Sequence, residues 1–242
     1  MKRIKLDAID STNDFLKGLS AKQAVENFTV VTAENQTKGK GQMGSVWVSE
    51  TGKNLIMSIL IRDFAKKSSQ IFDVNIVVSV SIIQALEEFG IPELSIKWPN
   101  DIMSYDKKIG GVLIENSIKS DGSIFSIVGL GLNVNQTNFE QLPKASSLAV
   151  ICNTPFDKEE ILLRIVEKLE HNMGSWNENS GLFRSEYTNK LFKKGIPMPF
   201  EDLKQHRFMG IIQGVSNIGK LRILLENDTV SEFAIKEIQM LY

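Results

Sequence analysis

Two lysines followed by two glycines, in Lys107-Lys108-Ile109-Gly110-Gly111, open a stretch that ends in Glu115. Glycine carries no side chain, so a ligand or another backbone can come close there, and a neighbouring lysine neutralises a carboxylate or phosphate. A second block, Gly39-Lys40-Gly41-Gln42-Met43-Gly44, follows Lys38. Its glycines permit positive φ and bring N–H groups toward an anion, while Lys38 and Lys40 add charge. A third block, Lys97-Trp98-Pro99-Asn100-Asp101, ends in an amide and a carboxylate. An aspartate so placed suits a metal or phosphate-bound magnesium. A fourth, Gly129-Leu130-Gly131-Leu132-Asn133-Val134-Asn135, alternates glycines with apolar residues and finishes in amides. Each block alone also reads as an ordinary turn or a solvated hairpin loop. Together they are equipment for binding anions and stabilising charge, not for covalent catalysis.

The glycine block matches G-x-G-x-x-G literally, but Ser45-Val46-Trp47-Val48-Ser49 follows it, a β-type run and not a helix start. A dinucleotide-binding turn needs that helix, and a Walker loop needs a closing Gly-Lys-Ser/Thr, so both are excluded. Cys152 has no histidine nearby in sequence and no Gly-x-Ser-x-Gly elbow occurs, so no nucleophile stands out. His171 and His206 have no cysteine or second histidine at ligand spacing, which excludes structural zinc.

The apolar pattern outlines the elements that must carry these blocks. Residues 3–9 alternate as a strand. Ser11 suits the N-cap of a helix running to about Leu19, with Asp14 as its capping-box partner. Residues 28–33 form a β-branched strand, 35–45 a loop, and 46–48 and 55–61 strands around a turn at Thr51-Gly52. Ile71, Val74, Val78, Ile82, Leu86 and Phe89 recur at three and four, giving a helix over 70–89. Residues 95–98 make a short strand stopped by Pro99. Residues 109–115 and 123–129 form a hairpin through Asp121-Gly122. Residues 159–176 and 182–192 read as two amphipathic helices. From Gly195 to Tyr242, four or five short strands with turns at 216–219 and 227–228 suggest a small all-β barrel. The expectation is an α+β fold, with one unit over 1–194 and a second over 195–242.

Composition narrows the partners. The 242 residues are 42% hydrophobic and 24% charged, which disfavours disorder, collagen and coiled coil. Lys and Arg number 28 against 29 Asp and Glu, and the last unit has five against six. Without a basic stripe, no nucleic-acid partner is expected. A single cysteine rules out an internal disulfide framework and fits a reducing cytoplasm. The start MKRIKLDAID lacks the apolar stretch of a signal peptide. The apolar run 76–86, interrupted by Ser79, Ser81 and Gln84, is too short and too polar to span a bilayer, so no membrane partner is expected.

Read in order, Ser11-Thr12-Asn13, the stretch from Ala33 to Trp47, the block ending in Asp101, Lys108 to Glu115, and Gly129 to Asn135 resemble the biotin protein ligases. The resemblance covers nearly the whole chain, including the last β-module. It implies a class II synthetase-like catalytic domain, a mixed sheet with helices, followed by an SH3-like barrel. It further implies that biotin and MgATP give biotinyl-5′-AMP and pyrophosphate, after which the biotinyl group passes to a lysine of a biotin carboxyl carrier protein or domain. Lys108 matches the family's essential lysine and, with Asp101 and Lys40, is the implied catalytic set. The implied biotin contacts are Ser11, Thr12, Asn13, Gln36, Gly39, Lys40, Gly41, Lys108 and Gly111. The implied ATP contacts are Lys38, Lys40, Gln42, Met43, Trp47, Asn100, Lys108 and Asn133, with magnesium on Asp101. The glycine loop is expected to close over the easily hydrolysed adenylate.

Two positions depart from the pattern. Lys40 stands where the family most often has arginine, keeping charge but losing the bidentate fork. Gln42 stands where a second arginine is frequent and carries no charge. Ten residues precede Ser11, too few for the winged-helix DNA-binding domain of some members, so a monofunctional ligase is expected. Lipoate ligases and lipoyl or octanoyl transferases share the catalytic fold and are the nearest alternative, and a non-catalytic sensor is another. Both monomer and homodimer stay open.

Overall fold

The computed structural model describes residues 1–118 and 122–242; Asp121 of the expected Asp121-Gly122 turn lies outside the described residues. Seven strands make a central mixed sheet: β1 (Arg3–Ile9), β2 (Val30–Gln36), β3 (Leu55–Arg62), β4 (Leu94–Lys97), β5 (Asp101–Ser104), β6 (Lys107–Ile118) and β7 (Ile124–Leu132). Their order is β1-β2-β3-β7-β6-β5-β4. β1 and β2 pair parallel and the remaining neighbours pair antiparallel. A parallel pair needs a crossover, and α1 (Thr12–Lys22) supplies it. Ser11 caps α1 as expected, its Oγ accepting from the Asp14 N–H at 3.3 Å.

Each face of the sheet is covered differently. On one, Leu16 of α1 packs with Val31, Leu60 and Ile127 in a small cluster. On the other, α2 (Ile71–Glu88) and α4 (Lys158–Asn189) bury the larger core, which includes Val77, Ile82, Ile102, Leu130 and Ile165. Because both faces are covered, seven of the eight β3 side chains are buried. A short α3 (Leu148–Cys152), capped by Ser147, sits between β7 and α4.

Four local expectations need correction. Residues 46–48 are not a strand; a single bridge joins Val46 to Lys40 and closes the glycine loop on itself. β5 was hidden because Pro99-Asn100-Asp101 reads as a turn, yet Asp101–Ser104 pairs on both sides. The two expected helices after 158 are one helix of 32 residues. Trp176 stacks on Phe183 across the expected gap at 5.7 Å, and with buried Tyr187 these rings pin the helix to the core. Finally, the 21 residues Ser68–Glu88 are long and apolar enough by composition to cross a membrane, more than the 76–86 run alone suggested. Here that surface is mostly buried between the sheet and α4.

The last five strands form an antiparallel sheet of the SH3-like kind: β8 (Pro197–Asp202), β9 (Arg207–Val215), β10 (Leu221–Leu225), β11 (Val230–Phe233) and β12 (Ile238–Met240), ordered β11-β10-β9-β8-β12. Their Phe200, Ile212, Leu221 and Ile223 join the same buried cluster as the central sheet. The β9–β10 turn completes the join, since Trp98 Nε1 donates to Gly219 O at 2.9 Å. The architecture is thus the α+β arrangement expected, a mixed sheet with helices plus an SH3-like module.

Candidate active site

Strand register builds the site. Ile56 lies opposite Gly131, Gly131 opposite Gly111, and Gly111 opposite Asp101. Directly opposed residues point to the same face, so this row crosses four strands on the α1 side. One row over, Ser58 opposes Gly129 and Gly129 opposes Leu113. Above these glycines lies a cavity of about 340 Å³. The glycines are needed for what sits on them. A methyl group at Gly129 would fall 2.5 Å from Asn13 Oδ1, and one at Gly131 would fall 2.4 Å from the Trp47 ring.

One end of the cavity is neutral and polar. The Thr12 N–H and hydroxyl both donate to Gln36 Oε1, at 2.7 and 3.0 Å. Ser58 Oγ lies 2.6 Å from Asn13 Oδ1, to which it donates, and 2.7 Å from Thr12 Oγ1. Asn13 Nδ2 donates to Glu115 Oε2 at 2.9 Å. Ser11, Thr12, Asn13 and Ser58 are all buried, so the network is fixed before any ligand arrives. Neutral donors and acceptors so arranged suit an uncharged polar ring. Ser58 escaped the sequence reading, although it is the lone polar residue in the run Leu55 to Ile61.

Charge gathers at the other end. Lys108 Nζ lies 2.6 Å from Asp101 Oδ1 and 5.9 Å from the centroid of the Trp47 ring. Asp101 is mostly buried, so the pair is screened far less than a surface pair. The Lys108 main chain is fixed by a hydrogen bond to Lys144 O and another from Ser146 N–H. Asn100 lines the cavity and staples β6, donating from Nδ2 to Val112 O at 2.8 Å. Among the described residues no three His, Cys, Asp or Glu side chains gather as a metal site. One carboxylate already paired with a lysine does not make a resident metal centre, but it fits a magnesium that arrives on phosphate oxygens.

The glycine loop forms the roof. Met43 adopts φ 58° and Gly44 φ 84°, and the Trp47 N–H donates to Gly39 O. Gly39 and Gly41 pack against Trp47 O and Ser45 Oγ with no room for a side chain. Lys40 reaches Asp14 at 2.6 Å, and that hydrogen bond holds its ammonium above the ordinary lysine range. The cavity thus brings together Ser11, Thr12, Asn13, Gln36, Lys40 and Gly41 with Gln42, Trp47, Asn100, Asp101, Lys108 and Gly111. Four other expected residues lie off it. Lys38 is exposed and paired with Asp10 at 2.8 Å. Gly39 sits behind Trp47, and Met43 faces a second cavity toward β8 and β12. Asn133 is buried and donates to Ser146 O, holding the segment that fixes Lys108.

The site is thus a glycine-floored groove on a mixed sheet, hydrogen-bonding at one end and cationic at the other. The chain belongs to the Biotin/lipoate A/B protein ligase family, whose model matches residues 6–135, more than half of its length. Among curated proteins it is similar to the bifunctional ligase/repressor BirA of Bacillus subtilis, 32% identical over 166 residues, covering 66% of this chain and 50% of that one. The chain therefore spans about half the length of the Bacillus relatives it matches. It is also similar to the biotin–[acetyl-CoA-carboxylase] ligase of Mycobacterium tuberculosis, 25% identical, covering 91% of this chain and 82% of the other. Among solved structures, the biotin protein ligase from Aquifex aeolicus in complex with biotin and ATP superposes with a TM-score of 0.80 at 28% identity, over 99% of this chain and 98% of that one.

Proposed function

We propose that this protein is an ATP-dependent biotin–protein ligase that works through biotinyl-5′-AMP. The groove above the register row carries the reading. It runs from the Thr12–Gln36–Ser58 network, suited to a neutral ureido ring, across bare glycines that leave room for an apolar chain. It ends at Lys108 and Asp101, where a carboxylate would meet a phosphate. The likeness to the Aquifex ligase that is seen in complex with biotin and ATP, and to the biotin–[acetyl-CoA-carboxylase] ligase of Mycobacterium, supports the same substrates.

In this reading a biotin carboxylate oxygen attacks the α-phosphorus of MgATP, and the bond to the β-phosphate breaks. Both reactants are anionic, so Lys108 offsets their repulsion and the charge that spreads over the α-phosphate. Asp101 holds Lys108 in place. Magnesium comes with the nucleotide as part of the substrate. Closure of the loop 39–47 keeps water from the adenylate. A lysine amine of a biotin carboxyl carrier domain then attacks the acyl carbon and AMP leaves. Residues 1–194 act as the catalytic unit and 195–242 as an accessory module, in a reducing cytoplasm. The test is biotin-dependent pyrophosphate exchange from MgATP, with lipoate in parallel. Exchange with biotin alone is expected. Exchange with lipoate alone would move the chain to the lipoate branch of the family, and none with either would overturn the enzyme reading.

A further inference from the structure

We propose that Lys97 and Lys144, held against the ring of Tyr242, receive the pyrophosphate released in adenylation; this rests on the ligase reading above. The register row does not stop at Asp101, because Asp101 lies opposite Lys97 on β4. A ligand laid in the groove above the row, starting at Thr12, places its carboxylate at Lys108. In an in-line displacement the leaving group departs on the side of phosphorus away from the attacking oxygen. Along this row that side is Lys97.

The surroundings of Lys97 fit that task. Among the described residues no Asp or Glu side chain pairs with its ammonium, and Asp101, its neighbour, is taken by Lys108 at 2.6 Å. Lys97 Nζ instead lies 4.7 Å from the centroid of the Tyr242 ring, and Lys144 Nζ lies 4.2 Å from the same centroid. The ring is braced edge-on by Phe192 at 5.2 Å. Lys144 also donates to the main-chain oxygen of Tyr242 and, through its own carbonyl, anchors Lys108. Asp106 is engaged by Lys193 at 2.7 Å. Burial lowers the affinity of Lys97 for its proton, Asp101 opposes this and Lys108 adds to it. An arriving polyanion resolves that conflict in favour of the ammonium.

There is also a way out. Lys97 lines a second cavity of about 790 Å³ between β4 and the strands β8 and β12, which shares Gln42 and Ser45 with the first. Glu201 and Asp202 border it too, but Glu201 is held by Arg207 at 3.0 Å and Asp202 accepts the Lys204 and His206 N–H groups. The step balances without a co-reactant. The carboxylate oxygen forms the new bond to phosphorus, the bond to the bridging oxygen breaks, and its electron pair leaves with pyrophosphate. Lys97 and Lys144 donate hydrogen bonds to that departing charge, and Tyr242 is a positioning residue.

Full-length Lys97→Met, Lys144→Met, Tyr242→Phe and Tyr242→Leu proteins test this by three readouts. These are the KM for pyrophosphate in biotin-dependent exchange, calorimetric binding of inorganic pyrophosphate, and biotinyl transfer from supplied biotinyl-5′-AMP. Each lysine variant is expected to raise the KM and the Kd for pyrophosphate about tenfold, the loss of one charge-assisted contact. Transfer from supplied adenylate should stay within about twofold of wild type, because that step involves no pyrophosphate. Tyr242→Phe should be silent and Tyr242→Leu should shift the same two constants in the same direction. Unchanged constants in both lysine variants, or transfer falling in parallel with exchange, would overturn the proposal. Loss of pyrophosphate binding in Lys97→Met, with no exchange in wild type, would sink the ligase reading and leave the anion site standing. Normal exchange in both lysine variants would do the reverse.

Discussion

Lys108 and Lys40 are both lysines of glycine-rich blocks, and their surroundings give them different weight. Lys108 is two-thirds buried and locked to Asp101, in the middle of the cationic end of the groove. Its replacement by alanine removes the charge at the point where two anions must meet. Loss of one such preorganised donor costs about 10²–10³-fold in rate. Lys108→Ala is therefore expected to lose adenylate formation to that degree or more, while biotin affinity, set at the Thr12–Gln36–Ser58 end, changes little. Normal pyrophosphate exchange in that variant would contradict the assignment. Lys40 is half exposed and bonded to Asp14, and an arginine keeps the charge that this pair uses. Lys40→Arg should keep exchange within about threefold, a difference of roughly 0.7 kcal/mol. The lysine and glycine blocks were legible because type and spacing are local signals, and the family resemblance picked Lys108 and Asp101 out of them. Tyr242 gave no such signal. Its contacts to Lys97 and Lys144 come from packing between residues far apart in the chain, and no spacing rule reports that.

At the level of elements, two glycines with opposite environments make opposite predictions. Gly181 lies within α4, exposed, with nothing within 4 Å of where a methyl group would sit. Gly181→Ala should stabilise the protein by about 0.5–1 kcal/mol through lower unfolded-state entropy and better helix propensity. Gly219 has φ 86° in the β9–β10 turn, and a methyl group there would fall 2.3 Å from the Phe72 ring. Gly219→Ala should destabilise by about 1–3 kcal/mol, from backbone strain and the displaced ring together. Urea midpoints with unchanged slopes check both. Residues 177–181 fell between the two expected helices, but helix continuity is decided by Trp176, Phe183 and Tyr187 packing into the core. The residues 46–48 had strand propensity but no neighbouring strand to pair with. Elements with a strong period or a cap, such as α1 and α2, were legible because those signals need no partner.

Across the whole molecule, the question is whether the SH3-like module is an appendage or part of the folding unit. Its buried Phe200, Ile212, Leu221 and Ile223 belong to one cluster with the core beneath the central sheet. Gly219 O accepts from Trp98, next to the Asn100-Asp101 pair that lines the active cavity. A module joined through a shared core has no separate unfolding transition, because opening it exposes apolar surface on both sides of the join. All three tryptophans lie before residue 195, but Trp98 is bonded to Gly219 of the module, so in a Trp98→Phe background the fluorescence of Trp47 and Trp176 reports the central part. Leu221→Ala empties a buried site in the module, where such a change costs about 2–5 kcal/mol. If the core is shared, that loss must move the tryptophan transition by the full amount, coincident with the transition seen by circular dichroism. An unchanged tryptophan midpoint with an early, separate change in circular dichroism would mean that the module folds independently. The Lys97–Tyr242 contact would then be a docked arrangement rather than a fixed part of the site.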